Sequence, residues 1–193
     1  TRGTMFFELA RAVNEIQPKV FMGENVKGLI SHENGRTFTT IKNVITELGY
    51  TLVEPRVLRA IMYQVPQKRE RLILIAIRND IAQNVEFHWP TPYHEVLTLR
   101  DALYRSVIYD NDVPVSEGAQ YPEKKKRILA MVPQGGDWRN LPEDVAKDYM
   151  GGSWALGGGK TGMARRLSLD EPSLTLTCSP CQKETERCHP IET

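Results

Sequence analysis

No stretch of this sequence is apolar for long enough to cross a bilayer, and no N-terminal signal peptide is visible. Cysteine is scarce. The three present, at 178, 181 and 188, all fall in the last 16 residues, which excludes a secreted disulfide framework. Charge of one sign is also missing: 25 Lys and Arg nearly cancel 24 Asp and Glu, for a net charge of +1. Such a total neither demands nor excludes nucleic acid, because local patches decide that. A soluble, cytoplasmic protein without a membrane partner is the expectation. There is no initiator Met either. The chain opens on Thr1-Arg2-Gly3-Thr4, runs straight into a helical pattern and stops as abruptly at Pro190-Ile191-Glu192-Thr193. It therefore reads as a piece of a longer polypeptide.

What is there is enough for a packed core, with apolar residues at 40% of 193. Residues 4–17 place apolar side chains at 5, 6, 9, 12, 13 and 16, which is helical spacing, and Pro18 ends the run. Residues 19–22 (KVFM) read as a short buried strand leading into Gly23-Glu24-Asn25-Val26. A helix joined tightly to a strand suggests half of a βαβ unit. Residues 37–48 form a second helical pattern, with Phe38, Ile41, Val44, Ile45 and Leu48 on one face and Gly49 as the stop. Residues 50–60 read as a strand, and Val65-Pro66 as a turn. The continuous apolar run 71–77 (RLILIAI) reads as a central strand.

Composition changes near residue 80. Nine of the twelve prolines lie from 87 onward, and residues 151–162 hold six glycines. Helical periodicity there is confined to short runs at 99–105 and 123–131. Long loops of this kind carry binding function more often than packing. The expected division is an α/β domain over 1–84 and a loop-rich domain over 85–193.

The chemistry concentrates at two strand ends. Glu24 follows one apolar strand, and Gln67-Lys68-Arg69-Glu70-Arg71 leads into another. Charged groups at buried strand ends are unfavourable unless something polar lies between them. A carboxyl there can share a proton with a ring nitrogen and accept from an exocyclic amine, and an arginine facing it can hold a carbonyl oxygen. Glu24 and Arg71 would suit the Watson–Crick edge of cytosine in a base taken out of its duplex. An ordinary Glu–Arg ion pair explains the same two residues.

Beyond these residues, an ordered set of strings resembles the DNA cytosine-5 methyltransferase family, bacterial type. The set is Arg2-Gly3-Thr4-Met5-Phe6-Phe7, Glu24-Asn25-Val26-Lys27-Gly28-Leu29, Gly35-Arg36-Thr37-Phe38, Gly49-Tyr50 and Val65-Pro66-Gln67-Lys68-Arg69-Glu70-Arg71. Later pieces resemble the family's variable region: Asp137-Trp138-Arg139-Asn140-Leu141-Pro142, Gly158-Gly159-Lys160-Thr161-Gly162, Arg165-Arg166-Leu167 and Thr175-Leu176-Thr177-Cys178-Ser179-Pro180. One departure is Gln64, where the family has glycine before Val-Pro-Gln.

The resemblance implies an α/β fold: the C-terminal half of a Rossmann-like, S-adenosylmethionine-dependent methyltransferase sheet, followed by an incomplete target recognition domain. It implies a reaction in which a cysteine thiolate adds to ring carbon 6 of a flipped cytosine, ring carbon 5 becomes nucleophilic, and S-adenosylmethionine supplies the methyl. Glu24 matches the glutamate that binds ring nitrogen 3 and the 4-amino group, and Arg71 the arginine at the 2-oxygen. Arg69 matches a further catalytic-block position. Gln67 and Asn25 match substrate-side positions, while Lys160, Arg165 and Arg166 fall in the DNA-reading region. Double-stranded DNA is the implied partner, in a restriction-modification setting. The family's glycine-rich cofactor loop and Pro-Cys nucleophile belong before this chain and its closing blocks after it, so the fragment alone is expected to be inactive. A non-catalytic DNA-binding subunit of a split enzyme, completed by a complementary chain, is the alternative.

Several features imitate function. Pro180-Cys181-Gln182 copies the nucleophile motif but follows Glu24 and Arg71, whereas the family nucleophile precedes both. Cys178, Cys181, Cys188 and His189 have zinc-like content, yet adjacent Cys188 and His189 are awkward as two ligands of one ion, so no metal is expected. Residues 124–127 (KKKR) suit either phosphates or a solvated helix face. His32 reads as exposed.

Overall fold

A computed structural model describes residues 5–114, 121–155, 162–178, 182 and 186–191. The elements are α1 (Met5–Ile16), β1 (Val20–Val26), α2 (Arg36–Glu47), β2 (Tyr50–Leu52), β3 (Arg56–Arg59), β4 (Gln67–Lys68), β5 (Glu70–Arg78), α3 (Asn79–Ala82), α4 (Leu99–Leu103), α5 (Glu123–Ala130), α6 (Glu143–Met150) and β6 (Ser173–Leu174). The chain divides into two compact units. One is Thr1–Arg59 with Glu70–Pro92, and the other is Ala60–Arg69 with Tyr93–Thr193. The segment 60–69 thus groups with the later residues, although it precedes the 84/85 division expected from composition.

In the first unit β5 is the central strand, with β1 on one edge and β2 and β3 sharing the other. Both pairings are antiparallel, with Glu24 opposite Ile73 and Thr51 opposite Ile77. β1 and β2 therefore run in the same direction, and α2 crosses between them, with β5 inserted head to tail. The βαβ-like unit is present, but its two strands are not neighbours. The strand expected over 50–60 is two pieces. Pro55 has no N–H to give the ladder, and the break falls around it.

Helix ends follow local chemistry. Gln17 turns to φ 51° just before Pro18, which disfavours helix in its predecessor. Gly49 closes α2 at φ 84°, a left-handed conformation that glycine takes without a Cβ clash. One sheet face packs Leu72, Leu74 and Ala76 against Val13, Ile41, Ile45 and Tyr50 to form the core. The buried Tyr50 hydroxyl is satisfied by donating to the Pro18 carbonyl at 2.7 Å.

The second unit has its own core of Ile128, Leu129, Val132, Leu141, Ala146, Ala164 and Cys188. Its two-residue strands β4 and β6 pair in parallel. No helix among the described residues is long and apolar enough to cross a membrane.

Candidate functional site

β1 runs on through Val26, so Glu24 lies within the strand and not after it. Across the ladder, Val26 stands opposite Arg71 and Glu24 opposite Ile73. Side chains alternate faces along a strand, so Glu24 and Arg71 are diagonal neighbours on one face. Arg71 Nε and Glu24 Oε1 are 2.7 Å apart, with the arginine three-quarters buried and the glutamate about half exposed. A second Arg71 nitrogen donates to the Glu70 carbonyl at 2.8 Å, fixing the guanidinium plane.

Glu70 itself gathers Lys27 at 3.2 Å and Arg59 at 3.0 Å. The hydrogen bond and charge of Lys27, then Arg59, hold its carboxyl below the usual range. This network ties the segment after β1 to the start of β5, which steadies both strands that carry the Glu24–Arg71 pair. Sequence reasoning quoted Glu70 but gave it no role. Its signal was its place between two arginines.

On the core side of the sheet lies a cavity of about 390 Å³, walled by Phe6, Phe21, Ile41 and Leu74, with Glu24 and Asn25, but not Arg71, among its lining. Asn25 Oδ1 accepts from the Val26 N–H at 2.8 Å. Apolar walls with a few convergent polar groups are the usual form of a small-molecule site. A nucleoside cofactor needs more. Among the described residues no strand passes through a glycine-rich turn into an α-helix, the arrangement that binds such groups. These residues do not make an S-adenosylmethionine pocket by themselves.

Gln67 and Arg69 lie in the segment that groups with the second unit. Gln67 pairs with Ser173 through β4 and β6, and the Arg69 carbonyl accepts from the Ala60 N–H at 2.8 Å. Gln64 adopts φ 58°, the left-handed region, at the position where the resembled pattern carries glycine.

In the second unit, Arg165 and Arg166 part company. Arg166 is only 5% exposed. Its guanidinium donates to the carbonyls of Val132 and Leu129 at 2.8 Å each, His189 at 2.9 Å and Pro190 at 3.3 Å. A guanidinium committed to the interior in this way is a packing residue, which corrects its assignment as a phosphate contact. Arg165 is about one-fifth exposed, with one nitrogen 3.9 Å from Asp137 Oδ2. Lys160 and Cys181 lie outside the described residues. Cys188 is buried in the core and Cys178 is exposed. His32 Nδ1 contacts Thr37 Oγ1 at 2.7 Å. Lys124, Lys125 and Lys126 each contact an acid, Asp148, Glu186 and Glu123 respectively, which favours the helix-face reading of that run.

Glu186 is the residue the sequence did not reveal. It is fully buried, and its carboxylate receives Lys125, the Tyr149 hydroxyl at 2.7 Å and the Ala164 N–H at 2.6 Å. Burial, then this hydrogen bond, push the Tyr149 hydroxyl far up, so it remains a donor at any ordinary pH. Nothing in the local sequence marks Glu186, one of two glutamates in the polar stretch 182–187, as buried.

The comparisons with known proteins agree with these motifs. The profile of the C-5 cytosine-specific DNA methylase family matches residues 1–182. The Type II methyltransferase M.Eco47II of Escherichia coli is 66% identical over 193 residues, spanning all of this chain and 46% of its own length. M.Sau96I of Staphylococcus aureus, also a Type II methyltransferase, is 46% identical over 195 residues, again over the whole chain and 44% of its own length. The chain thus spans under half the length of these relatives. A crystal structure of a prophage-encoded DNA modification methyltransferase of E. coli shares the fold, with a TM-score of 0.58 at 18% identity over 99% of this chain and 60% of that one. The profile match over nearly the whole length places this chain in the C-5 cytosine-specific DNA methylase family.

Proposed function

We propose that this chain is part of a DNA cytosine-5 methyltransferase in which Glu24 and Arg71 grip a cytosine rotated out of its duplex. The observation that carries the reading is the 2.7 Å pairing of these two side chains on one sheet face. The glutamate of this pair is about half exposed, and a partly exposed ion pair contributes on the order of 1 kcal/mol, so this one can yield to a base. Glu24 then shares a proton with ring nitrogen 3 and accepts from the 4-amino group, while Arg71 donates to the 2-oxygen. Protonation at nitrogen 3 draws electron density from carbon 6 and favours nucleophilic addition there. S-adenosylmethionine is the methyl donor in this reading. Its pocket and the nucleophilic cysteine come from the remainder of the polypeptide, or from a complementary chain, and the fragment alone does not methylate. Gln67 and Arg69 support the base-binding loop. The loop-rich region reads double-stranded DNA, with Arg165 and Lys160 on phosphates. The names of the relatives support a Type II restriction-modification setting.

The test is Glu24→Gln in the complete enzyme under single-turnover conditions. Methyl transfer should fall by about a hundredfold or more, with a much smaller change in DNA binding. Undiminished transfer would overturn the role of Glu24. Exchange of residues 87–189 between relatives should carry the target sequence with it, and an unchanged target would overturn the recognition role.

A further inference from the structure

Adjacent arginines at 165 and 166 face opposite ways because of a parallel bridge between Arg166 and Cys188. The Cys188 N–H donates to the Arg165 carbonyl at 2.9 Å, and the Leu167 N–H to the Cys188 carbonyl at 3.0 Å. Around the bridge, Arg166 on one segment and Glu186 and Cys188 on the other are buried. Arg165 precedes Arg166 and Arg187 lies between Glu186 and Cys188, so both project to the opposite side, abreast of each other.

Two like charges abreast are unfavourable without a counter-charge. Asp137 supplies one, but it is already engaged: Arg139 holds it through Nε at 2.9 Å and a terminal nitrogen at 2.6 Å. Arg187 is the less satisfied of the pair. One terminal nitrogen donates to the Glu186 carbonyl at 2.6 Å, while its buried Nε has no hydrogen-bond partner among the described residues. Burial, then the charge of Arg165, lower its pKa, which agrees with two guanidiniums in close company. A buried donor without a partner calls for an explanation, and an ion or a water that it would meet is one.

We propose that Arg165 and Arg187 together cradle one phosphate of the DNA backbone. The inference rests on the DNA-reading role given above and adds Arg187 to it. A phosphodiester offers two non-bridging oxygens and a single negative charge, a match for donors from two planar forks side by side. Glu186 and the Arg166 carbonyl contacts position both arginines from behind. Such a contact fixes the register of the protein on the duplex and carries no base preference.

The experiment compares wild type, Arg187→Gln and Arg187→Lys in the complete enzyme, by fluorescence anisotropy with target and non-target duplexes across a salt series. For Arg187→Gln, affinity should fall several-fold on both duplexes alike. The slope of log K against log salt should become shallower by about one. The thermal midpoint of the DNA-free protein should hold or rise, because a like-charge neighbour has gone. Arg187→Lys keeps the charge and should keep the slope while losing part of the affinity. Sulfate added at constant ionic strength should compete with DNA on wild type and not on Arg187→Gln. Wild-type affinity and slope in Arg187→Gln, or a drop in its midpoint that accounts for the loss, overturns the phosphate site. If Arg187→Gln fails to fold, unchanged affinity in Arg187→Lys overturns it instead. If wild type binds no duplex at all, the DNA-reading role fails with it. If wild type binds and the variants match it, only the cradle fails.

Discussion

Arg71 stands directly opposite Val26, not Glu24, and it is this two-residue offset in the β1–β5 ladder that lets the Arg71 guanidinium meet the Glu24 carboxylate at 2.7 Å. Direct partners would crowd long side chains against each other. Diagonal ones on the same face can lean together, and a shift of one residue would send the pair to opposite faces.

The pair should behave as a unit. In the complete enzyme, Arg71→Ala should slow single-turnover methyl transfer by about ten- to a hundredfold, the usual worth of a hydrogen bond to or from a charged group. Glu24→Gln combined with Arg71→Ala should cost less than the sum of the two in free energy, because contacting residues couple. Strict additivity would show that the two side chains do not share a substrate.

Arg166 should matter for stability and not for DNA. Arg166→Ala strands buried carbonyls and leaves a void, so denaturant unfolding should show a loss of about 3 kcal/mol or more. The salt dependence of DNA binding by the remaining folded fraction should match wild type. A slope reduced by one phosphate's worth would return Arg166 to the DNA surface.

Gln64→Gly should raise the melting temperature or leave it unchanged. A side chain at φ 58° costs about 1 kcal/mol relative to glycine, partly offset by the extra freedom glycine has when unfolded. A clear fall in melting temperature would mean the Gln64 side chain contributes contacts of its own.

Acid should weaken the second unit through Asp137. Hydrogen bonds from Arg139, opposed by burial, hold this carboxyl below its ordinary value. A depressed folded pKa means that the stabilisation is present above the unfolded value of about 4, and is lost as pH falls through the folded value. Urea midpoints measured from pH 6 down to pH 2 should therefore fall less steeply below about pH 4 in Asp137→Asn than in wild type. Parallel curves would remove Asp137 from the acid transition.

The sequence by itself determined the elements and the chemistry they carry. The 3.6-residue spacing over 4–17 and 37–48 became α1 and α2, and the apolar run at 71–77 became the central strand, because helical and central-strand burial leave direct marks on apolar pattern. The ordered strings around Glu24 and Arg71 carried the family for the same reason that motifs usually do: each residue type is tied to a local chemical task. What pairing decides was not legible. Antiparallel insertion of β5 between β1 and β2 is a long-range choice that no local window contains. Strand breakage around Pro55 depended on which N–H groups the ladder needed. Most of all, Arg165 and Arg166 are chemically identical neighbours. Only the bridge to Cys188 determines which of them faces the core and which stands beside Arg187, because side-chain direction in extended chain has a period of two and its phase is set by the partner strand.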